Sequence, residues 1–531
     1  MFSTHRLLHF LANFLTWPLV WAASTPTDTS DPIVNLGYAT YAGSFNRSTG
    51  HTQFLGMRYA APPTGNLRWR APQAPTPVSG ILPAHLEPST CFFTGQGEQA
   101  KTPFRMVGLN KRDPFSPSED CLFLNVYTPV DMFNIKKKLP VVVFIHGGGY
   151  ASGSASGFNG MDAYDGNDLI LEANQGVVAV VIQYRIGVFG FLPGSEVKRN
   201  GVLNAGLLDQ HFALRWVQDH ITKFGGDPAR VTIWGQSAGA GSVIQHLIAQ
   251  DGKTNPPLFR AAITSSSFLP SQYKYDDPIP EVSISCSSVN DSLECLRQVN
   301  VNILETVNNL VGSIGFFGTF VFVPVVDGTF ITQRPIKSLQ EKKVNGEALL
   351  SVTNTFEGAL FVDPTSLSTI KVPDYISQLF PTIGQREIQT AAIHYASVGS
   401  SANQIIGIMG EAIFICPTYY LLRAFEGRSF KGEFAIPPGG HGNDVPYYFT
   451  STKQGQAGVP FFNDTDFINA FSHSFLDFAM TLDPSKKSVP TITPPWHAWD
   501  EGVEISFNKT SSGSPDVHPI TTSRKLLERC E

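Results

Sequence analysis

The sequence predicts an α/β fold: a large, mainly parallel sheet covered by helices on both faces. Three observations predict it. Short β-branched runs of buried-strand length alternate with longer segments of helical periodicity. One such run leads directly into a serine bracketed by glycines and then into a helix-compatible segment. No repeat, low-complexity tract or Pro/Gly/Ser linker divides the chain, so residues 24–531 read as one large domain of the 531-residue sequence.

The elements follow in order. Arg6 precedes an apolar core from Leu7 to Trp21, and Ala22-Ala23-Ser24 supplies small residues for cleavage, so residues 1–23 read as a secretory signal peptide. The alternative is a membrane anchor or a buried helix. The core is short for a span, however, and is interrupted by His9, Asn13 and Pro18. Leu139 to Ile145 and Val177 to Ile182 are buried-strand runs. Ala205 to Phe224 has helical periodicity and ends at Gly225-Gly226-Asp227-Pro228, and Val231 to Trp234 reads as the next strand. Ala238 to Gln250 is then helical, while Ala348 to Val352 and Glu433 to Ile436 are further strands. Tyr273 to Asn345 is less regular and reads as an insertion over the sheet. Within it, Gly315 to Ile331 is apolar but holds Gly318, Pro324 and Asp327, which suits core rather than membrane.

Composition narrows the function. With 42% hydrophobic and 15% charged residues the chain is globular, and a net charge of -6 gives no electrostatic reason to expect nucleic acid. Six cysteines, none at zinc-finger spacing, suit three disulfides in a secreted chain. Sequons at Asn46, Asn290, Asn463 and Asn508 fit the same compartment.

The chemistry centres on Gly235-Gln236-Ser237-Ala238-Gly239. A strand feeding G-x-S-x-G and then a helix lifts a serine hydroxyl above the end of a sheet, which is the form of a nucleophile elbow. His146-Gly147-Gly148-Gly149 follows the strand ending at Ile145, and successive glycines let backbone N–H groups face a substrate oxygen as an oxyanion hole requires. A plain flexible turn is the alternative; a phosphate loop is disfavoured because no Lys-Ser/Thr pair follows. Glu357, in Asn354-Thr355-Phe356-Glu357-Gly358, is the acid candidate, and His441, in Gly439-Gly440-His441-Gly442-Asn443-Asp444, is the base candidate. Each follows a strand and stands beside glycine, where the carboxyl edge of an open sheet binds ligands. Either could equally be a structural or surface residue, and with 13 histidines spacing alone does not select His441.

The chain resembles the type-B carboxylesterase/lipase family of α/β-hydrolases, which includes cholinesterases and fungal secreted lipases. The resemblance runs from about Asn35 to the C-terminus. It is carried by Phe54-Leu55-Gly56-Met57-Arg58-Tyr59-Ala60 with Pro62-Pro63 and Arg68, and by Ser118 to Asn125. Asn204 to Gln210 and Phe224 to Pro228 continue it. It implies the α/β-hydrolase fold with helical insertions over the active site, and a triad of Ser237, Glu357 and His441 in that family's chain order. It further implies an oxyanion hole from Gly148, Gly149 and Ala238, and disulfides Cys91–Cys121, Cys286–Cys295 and Cys416–Cys530. Arg68 and Glu119 match a structural ion pair. The expected reaction is ester hydrolysis through an acyl-serine, with no metal or organic cofactor.

One departure lies in the elbow. Many members of the family carry Glu before the serine and this chain has Gln236, which removes a negative charge beside the triad. The stretch between Cys91 and Cys121 also lacks the Trp that a quaternary ammonium would need as a platform, so choline esters are disfavoured. Phe92, Phe93, Phe104, Met106 and Phe115 in that stretch offer either contact with a lipid or packing against the body. Gly315-Phe316-Phe317-Gly318 to Phe322 offers either a pocket wall or core. The leading expectation is a secreted esterase acting on small-molecule or lipid esters. The alternatives are a lid-gated triacylglycerol lipase or sterol esterase with transient contact to a lipid interface, and a catalytically silent adhesion or binding protein. The intact serine, acid and histidine argue against the last.

Overall fold

The computed structural model describes residues 31–47, 49–100, 117–129, 137–157, 164–277, 291–452, 461–500 and 502–531. The expected signal peptide, the residues Phe104, Met106 and Phe115, Cys286 and the sequon at Asn290 lie outside them.

An 11-stranded sheet organises residues from Ser44 onward. Its strands, in chain order, are β1 (Ser44–Asn46), β2 (His51–Arg58), β3 (Phe123–Pro129), β4 (Leu139–Ile145), β5 (Val178–Ile182), β6 (Gly226–Gln236), β7 (Ala261–Ser265), β8 (Ala348–Asn354), β9 (Ser429–Phe434), β10 (Val503–Lys509) and β11 (Pro515–Thr521). In space they run β11-β10-β9-β8-β7-β6-β4-β5-β3-β2-β1. From β5 to β10 in that spatial order every pairing is parallel. Antiparallel strands close both edges. A separate 3-stranded sheet joins Ile33–Asn35, Thr40–Ala42 and Ile81–Pro83.

The apolar runs form central strands because both of their faces are buried. In β4, Val141, Val143 and Ile145 face one core, while Val142 and Phe144 face the other. Helices α1 (Ala205–His220), α2 (Ala238–Ile248), α3 (Ser401–Gly410), α4 (Cys416–Ala424), α5 (Thr465–Thr481) and α6 (Arg524–Cys530) matter most for the site. Trp234 of β6 stacks on Phe475 of α5, with ring centres 5.1 Å apart. Strand limits differ most from those read in the sequence at two strands. β6 begins at Gly226, because Gly226 pairs with Leu139 before the sequence turns apolar. β9 spans Ser429–Phe434, not Glu433 to Ile436, because its pairing with β8 starts at Ser429 under cover from α4.

The chain order reverses at β4. β5 pairs on one side of it and β6 on the other, with Ile145 opposite Gly235. The loop after β4 and the turn after β6 are therefore neighbours at the carboxyl edge, where a crevice opens in folds of this kind.

Candidate active site

Ser237 occupies the turn between β6 and α2 with φ 56° and ψ -124°, a strained conformation for a residue with a side chain. Its N–H donates to Ser265 O at 2.9 Å and its carbonyl accepts from Gly241 N at 2.8 Å, so contacts on both sides hold the turn. Gly239 makes this geometry possible. A Cβ there would sit 1.9 Å from Ile145 O, at the end of β4. The bracketing glycine is thus demanded by close approach of two backbones.

The glycine loop after β4 lies against this turn. Gly149 has φ +66°, and a Cβ on it would strike the Phe320 ring at 2.0 Å. Among the described residues, the N–H groups of Gly148, Gly149 and Ala238 donate to no other group. His146 supports this loop. Burial pushes its imidazole down to about 4, so it is neutral; it stacks on Tyr184 at 4.4 Å, and Tyr184 OH donates to its carbonyl at 2.8 Å.

Glu357 follows β8 and His441 follows β9. The loops are tied by Phe356 N donating to Gly439 O at 2.7 Å. Glu357 is fully buried, and its Oε2 lies 2.6 Å from His441 Nδ1. Its other oxygen accepts from Asn354 N at 2.7 Å. The far ring nitrogen, Nε2, faces Gln236 Nε2 at 3.4 Å. Gln236 adjoins Ser237, so the histidine spans from the acid on one loop to the elbow on another. The imidazole is flanked by Phe361 at 5.0 Å and Phe414 at 4.6 Å.

Two residues of this site escaped the sequence reading. Asn354 Nδ2 donates to Asp444 Oδ1 at 3.0 Å and to Ser266 Oγ at 3.1 Å, and Tyr448 OH donates to Asp444 Oδ2 at 3.0 Å. Burial pushes the Asp444 carboxyl up to about 6, and the nearby charge of Glu357 adds to the effect. The available signal was position alone: Asn354 lies three residues before the acid and Asp444 three after the histidine.

A cavity of about 160 Å³ lies beside His441, whose two flanking phenylalanines are part of its wall. Phe268, Phe320, Phe361 and Phe414 line it and contact one another in a closed cycle, with ring centres 5.2 to 6.3 Å apart. Gly315, Phe316, Gly318, Thr319 and Phe320 line it, while Phe322 is buried in the core, so that stretch supplies both pocket wall and core. Phe92 instead stacks on Phe189 at 5.3 Å and is buried.

The disulfides Cys91–Cys121 and Cys416–Cys530 are formed. Cys295 lies within the helix Ser292–Gln298, and its expected partner lies outside the described residues. Arg68 and Glu119 form a buried pair at 2.6 Å. Of the described sequons, Asn463 is exposed, while Asn46 on β1 and Asn508 on β10 are half-buried.

Known proteins resemble this chain over most of its length. The model of the carboxylesterase family matches residues 30–513. The carboxylesterase patB of Penicillium expansum is 30% identical, with 93% of this chain and 94% of that protein covered. A secreted lipase of Botryotinia fuckeliana is 36% identical, with 85% of this chain and 84% of that protein covered. The crystal structure of the esterase EstA of Aspergillus niger superposes with a TM-score of 0.80 at 30% identity, covering 94% of this chain and 97% of that one.

Proposed function

This chain belongs to the carboxylesterase family and hydrolyses carboxylic esters; from that premise we propose that it is a secreted serine esterase with Ser237, Glu357 and His441 as its triad. The observation that carries the assignment is the 2.6 Å contact from Glu357 Oε2 to His441 Nδ1, with the opposite nitrogen turned toward the elbow. A serine hydroxyl is a weak nucleophile until a base removes its proton. In this reading His441 Nε2 takes the proton of Ser237 as Oγ attacks the ester carbonyl. Glu357 fixes the ring and stabilises the imidazolium. The N–H groups of Gly148, Gly149 and Ala238 stabilise the tetrahedral oxyanion, each donor being worth about 3 kcal/mol of barrier. The imidazolium returns its proton to the leaving alcohol, and a water activated by the same nitrogen then frees the acid.

The phenylalanine box supports apolar esters. A cavity of about 150 Å³ in another protein holds benzene. The cavity of about 160 Å³ therefore has room for a ring-sized or short acyl group. The second reading, a lipase acting at interfaces, is favoured by relatives named as secreted lipases. Those names, with the apolar N-terminus, also support secretion, and the exposure of Asn463 supports its glycosylation among the four sequons.

Purified protein assayed on p-nitrophenyl esters of increasing acyl length and on emulsified triglyceride tests both readings. The esterase reading expects a maximum at short chains and no jump in rate when substrate forms an interface. A jump favours the lipase. Ser237→Ala is expected to lower kcat by at least about 10⁴-fold. Unchanged activity in that variant overturns the nucleophile assignment.

A further inference from the structure

The segment that presses Phe414 onto the histidine has an unusual backbone. Between α3 and α4 the helical run Ser401–Ala424 widens into a π-helical turn at Glu411–Ile415. Such turns are rare and are less favourable than continuous α-helix, so surrounding contacts must hold them. One contact comes from the sheet side, where Leu269 N donates to Ile413 O at 2.8 Å. Others come from Tyr395 and from α6.

Two consecutive residues of α6 grip the two ends of the turn. Arg529 forms a two-pronged pair with Glu411, Nε to Oε2 at 2.7 Å and Nη2 to Oε1 at 2.6 Å. Cys530 is bonded to Cys416, the residue immediately after the turn. The pair is nearly buried, and Tyr395 OH adds a third bond to Glu411 at 2.8 Å. Tyr420 OH donates to Cys530 O at 3.0 Å and ties the helix down again. A two-pronged guanidinium–carboxylate pair fixes orientation as well as distance.

Two side chains of the turn face the site, while Glu411 faces α6. Ile413 and Phe414 line the phenylalanine box, and Phe414 lies 4.6 Å from His441. We propose that α6, through Arg529–Glu411 and Cys530–Cys416, is a clamp that positions Phe414, and through it the His441 ring. The last turn of the chain thereby sets the catalytic efficiency of a site to which it contributes no reacting group. Phe414, Glu411 and Arg529 are positioning residues in this scheme. The scheme rests on the assignment of His441 as the base.

A double-mutant cycle tests it, with kcat and KM measured on p-nitrophenyl butyrate well below each variant's unfolding temperature. Arg529→Met, which touches no part of the cavity wall, is expected to lower kcat about tenfold with KM within about threefold, and Phe414→Leu, which also reshapes the wall, to lower kcat at least as much. The double variant is expected to lose no more than the worse single one, because both break the same contact chain. Arg529→Lys, which keeps the charge but not the fork, is expected to recover part of the loss. Wild-type kcat in Arg529→Met with only a lower unfolding temperature overturns the proposal, and so do losses that multiply in the double variant. If Arg529→Met does not fold, the same cycle with Arg529→Lys decides by the same criterion. His441→Gln separates this from the underlying assignment: wild-type kcat there removes the base, whatever the clamp variants do.

Discussion

Ser237 and His441 meet in one site, but they are placed there by different means. The serine's turn is shaped within five residues of sequence and by the backbone of the adjacent strand, which Gly239 allows to pass closely. The histidine is oriented by Glu357, 84 residues away, and by two phenylalanine rings from other segments. Beneath it, Asn354 and Asp444 join the two loops through a pair separated by 90 residues. The nucleophile's half is fixed by local sterics and the base's half by long-range packing. The first half should therefore fail abruptly when altered, and the second by degrees.

Gly239→Ala offers the sharpest break. A Cβ 1.9 Å from a strand carbonyl cannot be absorbed by a rotamer change. The variant is expected to lose more than about 3 kcal/mol of stability and all measurable activity. Near-wild-type unfolding temperature would show that the elbow is less rigid than the contrast requires.

Glu357→Gln comes next. It keeps the shape of the acid but not its charge, so kcat is expected to fall by about 10³- to 10⁴-fold with little change in thermal unfolding. A fall in stability as large as that of Gly239→Ala would erase the difference between the halves.

Asp444→Asn probes the support beneath the base through pH. The folded carboxyl is pushed up to about 6 from an ordinary 3.8, chiefly by burial. Its contribution to stability is therefore present below the unfolded value and is lost as pH rises through the folded one. Between pH 4 and 7 the wild type is expected to lose up to about 3 kcal/mol relative to the Asn variant. Unfolding temperatures of the two proteins across that range measure it, and parallel curves would contradict it.

Gln236→Glu is the smallest change. It places an anion beside the base, and an anion favours the protonated, idle imidazolium. The acid limb of kcat/KM is expected to move to higher pH by less than about one unit, and KM for cationic esters to fall. An unmoved limb would mean that Gln236 does not sense the ring it faces at 3.4 Å.

How much of this was legible in the sequence follows from the same contrast. The strands β4, β5, β6 and β8 were readable because both faces of each are buried, which leaves continuous apolar runs. The elbow and the glycine loop were readable because a Cβ at each glycine would clash with a neighbour in space, the Phe320 ring at Gly149 and backbone at the others. Glu357 and His441 needed the family resemblance, since one buried glutamate among surface carboxylates has no local signature. Asn354, Asp444 and the π-helical turn were not read at all. Neither a polar residue at a strand end nor a helix one residue too wide leaves a periodicity to detect.

By itself the sequence determined the central strands of the sheet and singled out Ser237 as the candidate nucleophile. These depend on apolar pattern and on where side chains are forbidden, and both are local properties. Only the tertiary structure decided that Phe268, Phe320, Phe361 and Phe414 come together in the wall of a cavity of about 160 Å³. The same holds for the second carboxylate under the base and for the grip of the chain's last helix on the turn beside it. Those features arise between segments far apart in the chain, where distance and direction carry the chemistry and spacing along the sequence carries none.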